Sequence, residues 1–125
     1  MRIAALIARL LLGLVFTVFG LNGFLHFIPM TPPTGLAGQF VGAIGASGYW
    51  VVIFLAQLVS GILLLSNQFV PLALSLLGPV IVNILCFHAL MAPEGLPLAV
   101  VVAILWGIVF YSVRGAFAGI FRRQA

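Results

Sequence analysis

Between Arg9 and Glu94 the chain carries no Asp, Glu, Lys or Arg. That gap constrains the fold more than any other feature. A typical soluble chain draws about a quarter of its residues from the charged set. Here the charged share is 5% of 125 residues, and 65% of residues are hydrophobic. So few charges cannot cover a water-facing surface. Hydrocarbon solvates an apolar surface without cost, provided the backbone amides bond within helices.

Prolines and short polar runs cut the apolar sequence into four spans, at residues 10–28, 49–66, 71–91 and 97–114. Pro29, Pro32 and Pro33 end the first, and Asn67–Gln68 stops the second. Pro71 and Pro97 suit the first helical position of the third and fourth, with Pro93–Glu94–Gly95 between them. Arg9 is placed to snorkel from the start of the first span. The opening residues resemble a signal peptide, but the apolar stretch runs on with no small-x-small site before the prolines, so a retained helix is expected.

Within residues 36–46, Leu36, Ala37, Phe40, Val41 and Ile44 recur at helical spacing, with Thr34 as a candidate cap. Eleven residues cannot span a bilayer. The expected fold is therefore all-α and polytopic. It is a four-helix transmembrane bundle forming one domain over residues 1–125, with a short re-entrant or interfacial helix between the first two spans.

The net charge of +4 comes from Arg2, Arg9, Arg114, Arg122 and Arg123 against Glu94. These arginines lie near the two ends, not on one dense face, which argues against nucleic acid and for orientation signals. An even number of spans puts both termini on the same side, which the positive-inside rule makes cytoplasmic. The single cysteine, Cys86, excludes an intrachain disulfide and a dithiol relay within this chain. A weak internal repeat fits the layout. Asn22, Met30 and Pro32 recur as Asn83, Met91 and Pro93 at a constant offset, while His26 and His88 miss that register by one residue.

Polar side chains inside a membrane are costly and face the bundle interior. Five stand out: Asn22, His26, Gln57, Asn83 and His88. Helical spacing puts Asn22 and His26 on one face, and Gln57 on one face with Ser60. Asn83 and His88 stand about 140° apart at 100° per residue. Asn22 and Asn83 fall roughly 5 Å to the outer side of mid-membrane. A shared polar pocket in the outer half of the bundle is one expectation. Interhelical hydrogen bonding alone is the other, and it accounts for each amide equally well. The histidines and Glu94 lack metal-site spacing, so no metal is expected. Pro79 inside the third span frees the Ser75 carbonyl. Ala99, Ala103 and Gly107 form a small-residue line on the fourth span, as do Gly38 and Gly42 in the loop helix, and the former suggests a homo-oligomer.

The stretch GLNGFLHFIPM at residues 20–30, with the following TPPTGLAGQF, resembles the DoxX-like family of small four-helix membrane proteins. GASGY at 45–49, VPLAL at 70–74 and PVIVNILCFH at 79–88 extend the likeness over nearly the whole chain. The resemblance implies a bacterial inner membrane and a link to membrane redox and sulfur metabolism, through similarity to the membrane subunit of thiosulfate:quinone oxidoreductase. It transfers no catalytic residue, and whether the chain is an enzyme stays open. Three functions follow. The first is an accessory subunit that binds quinone, with no covalent cofactor, or anchors a membrane-associated oxidoreductase. The second is a structural or assembly protein. The third is a small-solute transporter, which would require an oligomer.

Overall fold

The structure, a computed structural model, describes residues 2–125. Among them are five α-helices: α1 (Arg2–Leu25), α2 (Gly35–Ser47), α3 (Tyr49–Leu65), α4 (Val70–Leu90) and α5 (Leu96–Ser112). Short 3-10 turns follow α4 at Pro93–Gly95 and α5 at Arg114–Phe117. α1, α4 and α5 with its preceding turn are each long and apolar enough to cross a membrane. α2 and α3 meet that test as a pair bent by 90°. The bend falls at Gly48, whose φ of +76° is a left-handed conformation open to glycine at little cost.

The bundle is apolar on the outside as well as within. Leu12, Leu64, Leu74, Leu77 and Val109 are fully buried. Leu14, Val52, Leu72 and Ile104 nonetheless stand exposed on α1, α3, α4 and α5. Helices hydrophobic all round belong in lipid or in the core of a large protein, and a chain this small has no such core. The fold is that of a small polytopic membrane protein.

Four helices close a ring. α1 packs on α3 and α5, α3 on α4, and α4 on α5, while α2 lies outside the ring against α3. The tightest crossing is α1 with α3. A methyl group at Gly20 would lie 2.8 Å from the Leu58 nitrogen, and one at Gly61 would lie 2.5 Å from that of Thr17. Any side chain at either position would push the backbones apart. Within the chain, the small-residue lines of α5 and the loop helix are not where helices approach most closely. Gly42 and Gly107 face open space, Gly38 packs only on its own loop at Pro33, and Ala99 is buried inside the ring.

Arg9 joins the same pair of helices. Its guanidinium donates to the Leu64 carbonyl at the C-terminal end of α3. That end carries the partial negative charge of the helix, and the Leu64 carbonyl, which also accepts the Asn67 amide hydrogen at 3.3 Å, has a second lone pair for the guanidinium, so the cation is stabilised within the bundle. α1 is accordingly helical from Arg2, eight residues before the expected start, and it stops at Leu25, short of Ile28. Its C-terminal stop comes from local hydrogen bonds, described next, and precedes Pro29.

On the opposite side of the ring, Trp106 Nε1 donates to the Leu74 carbonyl at 3.0 Å and ties α5 to α4. Leu74 lies one residue before Ser75, whose carbonyl loses its helical donor to Pro79. The Ser75 hydroxyl instead donates to Pro71 O at 2.9 Å. Beyond α5, Phe117 packs on Phe110, and Arg114 lies over the Tyr111 ring at 4.0 Å.

Candidate ligand-binding cleft

A cleft of about 220 Å³ opens between the helices of the ring. α1 contributes Val15, Phe16 and Phe19, and α3 contributes Phe54 and Gln57. Ile84 of α4 and Leu98, Ala99 and Val102 of α5 complete the wall, with Gly95 at the end near the α4–α5 turn. Gln57 is the one polar side chain on this lining, and it is only 7% exposed. The part-buried side-chain hydrogen bonds among the described residues are made by Arg9, Asn22, His88, Trp106 and Ser112, and Gln57 takes no part in them. Its amide therefore offers two N–H donors and a carbonyl toward an apolar cavity.

Ser60 follows Gln57 by three residues on the same buried face of α3. Its hydroxyl is fully buried and has no hydrogen-bond partner in the protein. Thr17 Oγ1, beside Gly61 at the α1–α3 crossing, is likewise unpartnered. Such orphaned groups are uncommon in a native interior and call for a physical account. Ser60 shares the buried face of α3 with Gln57 but does not itself line the cleft.

The other four candidate residues are placed differently. Asn22 is buried, and its Oδ1 accepts the Ile28 amide hydrogen at 2.7 Å while its main-chain carbonyl accepts the His26 amide at 2.8 Å. Both oxygens thus close the last turn of α1. His26 does not share a face with Asn22, because the helix has already ended. His26 has φ +52°, in the left-handed region, and its side chain is exposed. Asn83 is exposed as well, and its Nδ2 donates to Pro79 O on its own helix at 2.9 Å. Ile84, the next residue, is the one that α4 turns into the cleft.

His88 is half-buried, with Nδ1 3.0 Å from the Ala92 carbonyl. A carbonyl only accepts, so this bond puts the proton on Nδ1 and leaves Nε2 as the free ring nitrogen. The ring rests on Gly95, where a β-carbon would collide with it. His88 thus backs the glycine that lines the end of the cleft. The five residues do not converge on one pocket. Gln57 lines the cleft, His88 sits directly behind its wall, and Asn22, His26 and Asn83 lie apart from it.

Sequence reasoning missed Gly95 as a lining residue and Trp106 as an interhelical donor. Tryptophan in an apolar run reads as an interfacial anchor, and Pro79 frees the Ser75 carbonyl, not the Leu74 carbonyl that Trp106 uses. Among the described residues no three His, Cys, Asp or Glu side chains come together as a metal site. No protein-family model, curated protein or solved structure matches the chain.

Proposed function

We propose that the chain is a DoxX-like bacterial inner-membrane protein, serving as a quinone-binding accessory subunit of a membrane redox system. The observation that carries this reading is the unpaired Gln57 amide facing an otherwise apolar cleft. A quinone matches that lining, since it offers a flat apolar ring, an isoprenoid tail at home in lipid, and carbonyl oxygens that accept from an amide N–H. At about 220 Å³ the cleft suits a ring head or part of a tail more than a whole molecule. A bound quinone would supply electron acceptance. The chain itself would hold the ring, donate from Gln57 to a carbonyl oxygen and keep water away, while electrons arrive from a partner oxidoreductase.

A second reading, a structural or assembly protein, draws on a different observation. Asn22, Asn83 and His88 all spend hydrogen bonds on nearby backbone carbonyls or amides. Those side chains work as helix caps and local ties.

Extraction of gently purified protein with organic solvent separates the two. The expected result is quinone at near one equivalent from the wild type, and at least a tenfold loss from Gln57→Leu with an unchanged unfolding midpoint. Tenfold corresponds to about 1.4 kcal/mol, the order of one desolvated hydrogen bond. Equal quinone content in the two proteins would dismiss the Gln57 site, and absence of quinone from the wild type would favour the structural reading.

A further inference from the structure

We infer that the outward face of α4 is the interface of a two-fold homodimer, centred on Asn83. The proposal is independent of what the cleft binds. It starts from an amide in the wrong solvent. α4 runs from Val70 to Leu90, so Asn83 lies about 5 Å from the midpoint of the helix, well inside hydrocarbon. Its side chain is exposed on the bundle surface, flanked by the exposed Val82 and Cys86.

Asn has two N–H donors and two carbonyl lone pairs. Asn83 uses one N–H, on Pro79 O. The second N–H and Oδ1 project toward lipid, which offers neither donor nor acceptor. Hydrogen bonds between helices are the usual way such a group is satisfied in a membrane.

The amide chemistry and the geometry of a bilayer together select the partner. Copies of one chain insert with the same orientation, so a two-fold axis relating them runs along the membrane normal. A residue beside that axis then meets its own counterpart at its own depth. Asn83 is suited to this, because an amide is self-complementary: N–H of each copy donates to Oδ1 of the other. A different protein would have to present an amide at that same depth.

The surface around Asn83 supplies the packing. At 100° per residue, Leu76, Pro79, Cys86 and Leu90 fall within about 60° of Asn83 on α4, and all are exposed. They form a stripe against which the same stripe of a second copy can pack while the amides pair. The groove of about 270 Å³ between α4 and α5, lined by Gly78, Ile81, Val82, Leu85, Ala103 and Trp106, lies round the helix from that stripe and takes no part in the contact.

Cys86, the sole cysteine, is exposed three residues beyond Asn83 and reports on the contact. Native membrane vesicles are treated with copper phenanthroline, and in parallel with a short bis-maleimide. The expected product is a band at twice the monomer mass that disappears in Cys86→Ala. Asn83→Leu should lower its yield about tenfold, in line with one lost interhelical amide pair, and Asn83→Gln should restore most of it. Leu76→Trp, which adds bulk on the same exposed face two turns away without touching the amide, should also abolish the band. A cysteine moved to Ile104, on the lipid-facing side of α5, should not cross-link. The inference fails if the wild type gives no dimer with either reagent. It fails equally if Asn83→Leu cross-links as well as the wild type, or if Cys86 joins a protein of different mass.

Discussion

Asn22 commits both of its oxygens to a single turn. Oδ1 accepts from the Ile28 amide and the main-chain carbonyl from that of His26, which pairs the N–H groups of the chain just past the end of α1. Asn22→Leu should therefore cost about 1–2 kcal/mol, the cost of leaving a part-buried N–H without an acceptor. Asn83→Leu, measured on the monomer, should stay within about 0.5 kcal/mol, because that amide is exposed and only back-bonds to its own helix. Unfolding titrations in sodium dodecyl sulfate against a mild detergent compare the two, and equal losses would contradict the capping role. The rarity of Asn22 in an apolar span was legible from the sequence. Its role was not, because the four-residue spacing to His26 means a shared face only while the helix continues. The left-handed φ at His26 ends it, and a proline three residues later marks such a stop only loosely.

At the scale of whole elements, the α1–α3 crossing sets the shape of the ring. Gly20→Val should drive the side chain into the Leu58 backbone and destabilise the bundle by about 1–3 kcal/mol, as overpacking does. Gly107→Val, at a position facing open space, should change the same unfolding midpoint by less than about 0.5 kcal/mol. Similar losses from both would contradict a close α1–α3 crossing at Gly20. Helix number and the prolines opening α4 and α5 were legible because they follow from hydropathy and missing N–H groups. The contact face was harder. Gly13, Thr17 and Gly20 are spaced by four and three residues, a heptad-like small-residue seam. Gly13 and Thr17 make one small-xxx-small pair, but the step of three to Gly20 breaks the regular line that Ala99, Ala103 and Gly107 keep on α5. In the cleft, Gln57 was visible as an isolated amide, whereas Gly95 has no side chain to announce it.

For the whole molecule, the arrangement of chain ends carries the proposed orientation. α1 and α3 run antiparallel, since Gly20 meets Leu58 while Gly13 meets Leu65. α5 returns along α4 in the same way, through the Trp106–Leu74 bond. Arg2 at the start of α1 and Arg114 just after α5 thereby fall at one end of the bundle, the end read as cytoplasmic. With Cys86 replaced by Ala, a cysteine at Thr34 should react with an impermeant maleimide in intact cells, and one at Gln124 should react only after permeabilisation. The opposite labelling would reverse the orientation.

The bond from Arg9 to the end of α3 bears on the order in which the chain is built. A ribosome delivers α1 to the membrane before α3 emerges to join it. Until then Arg9 has no helix terminus to donate to, and its charge is best served by water at the lipid headgroups. α1 spans 24 residues, about 36 Å, several ångströms more than the hydrocarbon is thick. It can therefore slide along its axis and still keep an apolar segment in lipid. Arrival of α3 supplies carbonyls for the guanidinium and allows α1 to settle deeper or tilt. The final depth of the first helix is then a property acquired late in biogenesis, dictated by a carbonyl that lies 55 residues after Arg9 in the chain.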